Sequence, residues 1–377
     1  MGVKLIEPSR LVLARKRAGL TASALARLVD VTPQSIHNYE AGRQSPTEDT
    51  LIRIAGALML PESFFRLGPV SDITADEVSF RARTKMASRV RGMAICSAQL
   101  AVEVRDYVLS TFKVPSVDVP YIEQDMEPAL AADYVRSRWG LDRDAPAPNM
   151  VHLLESKGVA VFSLPPLGEH LDAFAFWRND EPFVLLNLQK SAERGRFDAA
   201  HELGHLVLHR DTTRLNGRDV EREANEFASS FLIPATGIKR RMRSNTTLDR
   251  ILQEKSYWRV AAMAMAYRLH ALGLLSDWSY RNNVIALGRL GYRTGEPAGM
   301  ERERSLLFQK VFAASSRGVA IKKMSSETGL PLGVLGELTF SVEPTTVPSL
   351  GVTSPSAERI DEVSSVWPRP KLKAVGH

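Results

Sequence analysis

Apolar positions near the start of the chain recur at helical spacing and are broken by capping signals. Leu11, Leu13, Ala14 and Ala18 form one stripe that stops at Gly19, and Thr21 can cap a second helix carrying Ala24, Leu25 and Leu28. Thr32 suits an N-cap and Pro33 the first helical position, so the pattern predicts a third helix from Pro33 to Ala41, ended at Gly42. Thr47 can cap a fourth, through Leu51, Ile54, Ala55 and Leu58. Further helices are predicted up to about Phe112, over Leu130 to Trp139, and over Met150 to Lys157, ended at Gly158. Val159 to Ser163 is a short apolar run of strand type, and Ala173 to Trp177 with Phe183 to Leu188 read as a hairpin around the polar Arg178 to Pro182. Two helical segments follow, Ala192 to Leu208 and Val220 to Leu232, the second stopped at Pro234; Ile238 to Leu275 and Glu301 to Val334 continue the helical pattern. The last 37 residues, Ser341 to His377, hold five prolines and six serines and are expected to be poorly ordered.

Composition narrows the classes. With 377 residues, 44% of them hydrophobic, two or three domains are expected. A net charge of +6 mildly favours a polyanionic partner. No run approaches the roughly 18 apolar residues of a membrane helix, and Met1 to Arg10 lacks the apolar centre of a signal peptide, so a cytoplasmic protein without membrane association is expected. A lone Cys96 excludes an intrachain disulfide framework, a multi-cysteine zinc ribbon and an iron–sulfur site. Any metal must use histidines and carboxylates.

His201-Glu202-Leu203-Gly204-His205 supplies such a set. Histidines at i and i+4 project from one helix face and can reach a single ion, while Glu202 can lie beside its water and accept a proton as that water attacks a peptide carbonyl. A catalytic zinc needs a third protein ligand. Candidates are Asp211, Asp219, Glu221, Glu223, Glu226 and His209. His209 is on the same face but about 6 Å further along the axis, poorly placed for the same ion. Glu221 shares a face with Ala224, Asn225 and Ala228, where the small alanines permit close helix approach and Glu221 points inward with them, whereas Glu223 and Glu226 fall on other faces and read as solvated charges.

The stretch Arg194 to His209, with Glu221 to Ala228 and then Phe231-Leu232-Ile233-Pro234, resembles the ImmA/IrrE family of zinc-dependent endopeptidases. The resemblance extends upstream through Gly158 to Val161 and Leu171 to Ala173, and downstream through Lys255, Trp258, Arg268, Leu272 to Ser276 and Tyr280, over roughly residues 75 to 300. It implies zinc held by His201, His205 and Glu221, with Glu202 as general base, on a gluzincin-like fold whose strand near Phe183 to Leu188 holds substrate by strand addition. Asp198 departs from the family, which often has Thr there, as does the Phe-Leu-Ile-Pro ending.

Near the N-terminus, a helix, a short turn and a second helix within about 60 residues form the helix-turn-helix arrangement. Leu20 to Ala26 with Val31 to Pro46 resembles the Cro/repressor-like (XRE) family. Ile36 should enter the core, leaving Gln34, Ser35, His37 and Asn38 outward on double-stranded operator DNA: Gln34 and Asn38 can bond adenine, Ser35 a base or a phosphate, His37 is a phosphate or solvent contact or a pH sensor, and Arg43 meets phosphate. Residues 1 to 70 carry nine basic and six acidic side chains, a suitable footprint. Ala22 departs from the family, which usually has a phosphate-contacting Gln.

The expected architecture is multidomain: an all-α helix-turn-helix domain over 1–70, a basic linker and scaffold helix over 71–115, an α+β gluzincin-like peptidase domain with a small sheet over 116–300, a helical C-terminal region over 301–340, and the tail. The linker holds five basic residues between Phe80 and Arg91 (Arg81, Arg83, Lys85, Arg89, Arg91) and no acidic one. The combined expectation is a homodimeric transcription regulator with a zinc endopeptidase domain, cleaving a repressor-type protein or itself in bacterial stress or mobile-element control. The alternatives are a non-proteolytic transcription factor using the peptidase-like fold as a ligand or metal sensor, and an antitoxin-like regulator.

Overall fold

A computed structural model describes residues 6–74, 77–78, 87–122, 126–166, 171–210, 217–242, 246–314 and 318–342. Arg81, Arg83 and Lys85 of the basic stretch, Asp211, Arg243 and the tail beyond Val342 lie outside the described residues.

The N-terminal helices are α1 (Pro8–Arg17), α2 (Ala22–Leu28), α3 (Pro33–Glu40) and α4 (Glu48–Leu58), followed by a 3₁₀ turn over Glu62–Arg66 and the long α5 (Ser88–Thr111). Three threonines start three of them: the hydroxyl of Thr21 accepts from the Ala24 N–H at 3.1 Å, Thr32 from Ser35 at 3.1 Å and Thr47 from Thr50 at 3.2 Å. Each such cap contributes about 1 kcal/mol. Leu11, Leu25, Ile36, Ile54, Phe64 and Phe65 are fully buried and make the core of this bundle. Leu28, expected on the apolar stripe, is instead 62% exposed. Leu25, Ala26 and Val29 set the inward face of α2, and Leu28 falls outside it.

The middle of the chain runs α6 (Pro128–Arg138), α7 (Met150–Ser156), β1 (Ala160–Leu164), β2 (Ala173–Arg178), β3 (Glu181–Asn187), α8 (Ala192–Leu208) and α9 (Gly217–Leu232). The hairpin turn is tighter than the sequence suggests: Arg178 pairs with Glu181, leaving Asn179 and Asp180 as a two-residue loop with φ of 47° and 60°. Positive φ at both positions matches the right-handed strand twist and suits Asn and Asp. Phe176 faces Phe183 across the strands, with stacked rings 4.8 Å apart.

The sheet order is β1-β3-β2. The expectation that the Phe183 to Leu188 strand adds a substrate strand is therefore corrected. β3 is central, with a hydrogen-bonded strand on each side, so it has no free edge to offer.

The stretch from Ile238 to Leu275 is three helices, α10 (Ala235–Arg241), α11 (Leu248–Trp258) and α12 (Ala262–Ala271). Arg259, left-handed at φ 58°, caps and ends α11. After α13 (Asp277–Arg289), which the sequence pattern did not single out, come α14 (Leu306–Ala313), α15 (Val319–Thr328) and α16 (Leu332–Leu338). The chain thus has a helical helix-turn-helix region, an α/β region with a small three-stranded sheet, and a helical C-terminal region. Among the described residues no helix is long and apolar enough to cross a membrane.

Two compact units emerge. Among the described residues, one gathers those of 6–114, 162–171 and 305–342; the other gathers those of 115–161 and 172–304. Within the second, Gly158 ends α7 at φ +79°, where a Cβ would lie 2.6 Å from the Ser116 and Val117 backbone. Gly158→Ala is expected to cost about 2 kcal/mol or more, from left-handed strain plus the clash. Gly56→Ala, in the α4 interior with nothing within 4 Å, should instead stabilise by about 1 kcal/mol. Thermal unfolding of the two variants beside wild type checks both signs, and equal shifts in one direction would refute the assignment.

Candidate metal centre and nucleic-acid interface

Helix α8 carries its chemistry in its last two turns. Ser191 caps it, accepting from the Arg194 N–H at 3.3 Å, and Ala199, Ala200, Leu203 and Val207 are fully buried. His201 and His205 point to one place, with Nε2 atoms 3.0 Å apart. Both rings are buried, as is Glu202 at 2% exposure.

The third donor comes from α9. An oxygen of Glu221 lies 3.4 Å from His201 Nε2 and the other 3.6 Å from His205 Nε2. This reach depends on Gly204, where a Cβ would stand 3.1 Å from a Phe227 ring carbon and 3.3 Å from Ala224 Cα. At the far end of α9, two cations satisfy carbonyls that the helix leaves over. Arg136 Nη1 donates to Phe231 O at 2.7 Å, and Arg268 Nε donates to Ile233 O at 3.0 Å.

The donor set fits a divalent cation. The ligand atoms of His201, His205 and Glu221 lie within 4.8 Å of one another. A tetrahedral ion with bonds of about 2.0–2.1 Å sets adjacent ligand atoms about 3.3–3.4 Å apart, close to the 3.0, 3.4 and 3.6 Å separations found. Charge agrees with geometry. Burial pushes His205 down to about 4, with Glu221 opposing only in part, so this ring is neutral and offers a lone pair. Burial also works against the Glu221 carboxylate, yet its contacts with His201 and His205 hold it well below the usual range. Burial alone would lower His201, but Glu221, Glu202 and Asp198 outweigh it and raise it. The carboxylates thus favour positive charge at His201, while burial disfavours it at His205. Asp198, three residues before His201, is itself pushed up to about 6 by burial, reinforced by Asp172.

Around this group the structure revises two details. Asn225, expected on the inward face with Ala224 and Ala228, is exposed. Glu223, expected to be a solvated charge, accepts from His209 Nε2 at 3.0 Å, and His209 in turn meets His205, Nδ1 to Nδ1, at 3.1 Å. His209 thus lies outside the group formed by His201, His205 and Glu221 and sits behind His205. Glu226 is partly buried, and its charge is felt by Arg268. The pairing of His209 with Glu223 had one sequence signal, the second i, i+4 step from His205.

Lys255 and Trp258 hold the scaffold rather than the pocket. Lys255 Nζ donates to Glu296 at 2.8 Å and reaches Glu193, in the first turn of α8, at 3.5 Å; Trp258 Nε1 donates to Glu254 at 3.1 Å.

In the N-terminal region, α3 buries Ile36 and Tyr39 and turns Gln34 and His37 outward. Gln34 Nε2 donates to Asn38 Oδ1 at 3.1 Å, so the two amides form one unit, leaving Gln34 Oε1 as acceptor and Asn38 Nδ2 as donor for an outside partner. The Ser35 hydroxyl sits 2.9 Å from the Thr32 hydroxyl at the helix cap, a local partner in place of the open face expected of it. Arg43 is exposed beyond the C-terminus of α3. Arg15 fixes the angle of α3, bonding both oxygens of Glu40 at 2.5 and 2.9 Å and the Leu20 carbonyl at 2.8 Å.

Comparison with known families agrees with both halves. Residues 11–65 match a helix-turn-helix family model, and residues 154–270 match the family model described as the IrrE N-terminal-like domain. No curated protein matches the chain. The chain therefore carries, in order, an XRE-type helix-turn-helix and an IrrE N-terminal-like domain: it is a DNA-binding regulator with a peptidase-like domain.

Gly204 is the steric gate of the metal group. Gly204→Ala should lower stability by about 1–3 kcal/mol through overpacking, and Gly204→Leu should push α9 away and abolish metal uptake. Metal analysis after equilibration with zinc checks this; a Gly204→Leu chain that folds and loads like wild type would sink the idea.

Proposed function

We propose that the chain is a zinc-dependent endopeptidase fused to an operator-binding domain. The observation that carries the reading is the convergence of His201 Nε2, His205 Nε2 and Glu221 on one point with a buried Glu202 beside it. A zinc ion held by these three residues would polarise a peptide carbonyl and lower the pKa of the attacking water. Glu202 is the general base: its carboxylate takes the proton of that water and passes it to the leaving amine. Within the sheet, β2 is the edge strand on the side of the hairpin away from β1, and Trp177 Nε1 on it donates to Leu206 O of α8 at 3.2 Å. An extended substrate adds at that edge, beside the metal helix.

At the other end of the chain, Gln34 and Asn38 read bases, with His37 beside them, Arg43 meets phosphate, and Ser35 contributes by closing the α3 cap. Two copies on a palindromic operator provide enough base contacts for specificity. The substrate is a repressor-type protein, separate or this chain itself, whose cleavage changes expression under bacterial stress or mobile-element control.

Two experiments test the reading. Zinc content near one per chain is expected in wild type and Glu202→Gln, and a sharp loss in His201→Ala and Glu221→Ala. Glu202→Gln should slow cleavage of self or of a candidate repressor by roughly 100-fold or more. Metal-free wild type, or Glu202→Gln cutting at the wild-type rate, sinks the peptidase; regulation that survives Glu202→Gln in cells favours a sensor.

For DNA, Gln34→Ala or Asn38→Ala should lose about 1–3 kcal/mol of discrimination at one base position, while Arg43→Ala weakens all sequences alike and flattens the salt dependence. Titration of a selected operator and its point variants at several salt concentrations decides. Equal behaviour of the three variants removes the recognition-helix assignment.

A further inference from the structure

Behind His205 lies a second pair of polar side chains that the proposed chemistry does not use. His209 stands at the C-cap of α8, with φ −123° and ψ 27°, where the backbone leaves helical geometry while its N–H still bonds the His205 carbonyl at 3.0 Å. This brings its Nδ1 to 3.1 Å from His205 Nδ1, and its Nε2 to 3.0 Å from Glu223 Oε2 on α9. The His209 side chain is only 2% exposed.

We propose that His209 and Glu223 are a positioning pair that locks the ring orientation and tautomer of His205, presenting its Nε2 lone pair to the metal. The inference rests on the metal reading above. The donors and acceptors along Glu223, His209 and His205 permit one direction. A carboxylate only accepts, so His209 Nε2 carries the hydrogen that faces Glu223. In a neutral imidazole the other nitrogen then accepts, so His209 Nδ1 takes a hydrogen from His205 Nδ1. His205 Nε2 is left as the bare nitrogen, and it is the atom 3.0 Å from His201 Nε2 and 3.6 Å from Glu221. Metal-binding histidines commonly donate their second ring N–H to a carboxylate or carbonyl. Here a histidine is interposed, and α9 supplies a carboxylate to each end of the arrangement: Glu221 toward the ion, Glu223 to the relay behind it.

The test uses the full-length chain, stripped of metal by chelator, in wild type and in His209→Ala, Glu223→Ala, Glu223→Gln and the double variant His209→Ala/Glu223→Ala. Zinc affinity is read by competition with a chromophoric chelator, and the His205 tautomer by NMR of chain labelled with ¹⁵N in its histidines. Either alanine variant should weaken zinc binding about 10–100-fold. The double variant should be no weaker than His209→Ala alone, because Glu223 acts through His209. Glu223→Gln, whose amide oxygen still accepts, should recover most of the loss. In the metal-free wild type, His205 should carry its hydrogen on Nδ1, and His209→Ala should give a mixture of tautomers.

Affinities within twofold of wild type in folded alanine variants, or additive losses in the double variant, overturn the proposal. So does a His205 tautomer that is unchanged by His209→Ala. Wild type that takes up no zinc overturns the metal reading instead, and the pairing is then judged by the tautomer alone. If His209→Ala fails to fold, Glu223→Ala against Glu223→Gln decides.

Discussion

The metal-capable group exists because two helices pass closer than most side chains allow. Glu221 comes from α9 and the histidines from α8, so the triangle of ligand atoms closes only where the backbones nearly touch. Gly204 and Ala224 make that crossing, with Phe227 closing over it. The glycine lies within the five-residue histidine motif itself, one residue before His205. The motif therefore encodes both two of the three candidate ligands and the notch that admits the third. Glycine inside a helix costs about 1 kcal/mol relative to alanine, a penalty that packing at the notch must offset.

A close crossing would be of little use if α9 could slide along its axis. Arg136 and Arg268 hold its C-terminal end by bonding the Phe231 and Ile233 carbonyls, and Arg136 also bonds the carbonyls of Asp142 and Ala145. Burial pushes the Arg136 guanidinium down to about 10, still far above neutrality, so it remains a cation at a helix end where positive charge is favoured. The start of α8 is pinned differently. Glu193, in its first turn, accepts from the Met300 N–H at 2.8 Å and faces Lys255, while Arg196 bonds Glu303 at 2.6 Å and the Ala147 and Pro148 carbonyls. Breaking a buried pair of this kind costs far more than forming it gains, because it leaves a charge without compensation. Its effect is to fix position.

Much of this was legible in the sequence, and the exceptions have physical causes. The three threonine caps, Pro33, Gly19 and Gly42 place the helix-turn-helix to within a residue, since capping is local chemistry. The span Ala192 to Leu208 and the inward turn of Glu221 follow from helical periodicity. Side-chain partners across elements were harder. Glu223 reads as solvated because i and i+2 do not face each other on a helix, and only the departure of His209 from helical geometry brings a partner to it. The Ser35 hydroxyl is captured by a cap that helical-wheel reasoning does not contain. Sheet order cannot be read from strand patterns: β3 is as apolar as a central strand should be, but nothing in a hairpin says which of its strands takes the third neighbour. The break at Arg259 was invisible because a left-handed C-cap at a non-glycine residue carries no composition signal.

The two halves of the chain solve opposite problems with polar groups. In α3 the amides of Gln34 and Asn38 bond one another at the surface, keeping an ordered face that can exchange water for a base edge at little conformational cost. Near α8 the polar groups are withdrawn from water: His201, Glu202, His205 and His209 are all under 8% exposed. Burying such groups is unfavourable unless each finds a partner. The carboxylates of Glu221 and Glu223 supply such partners to the three rings. A cation bound there would complete the set, and its binding free energy would add to the stability of the folded state. Metal binding and integrity of the α8–α9 crossing are then the same equilibrium viewed from two sides, so loss of a ligand should loosen the crossing as well as the chemistry.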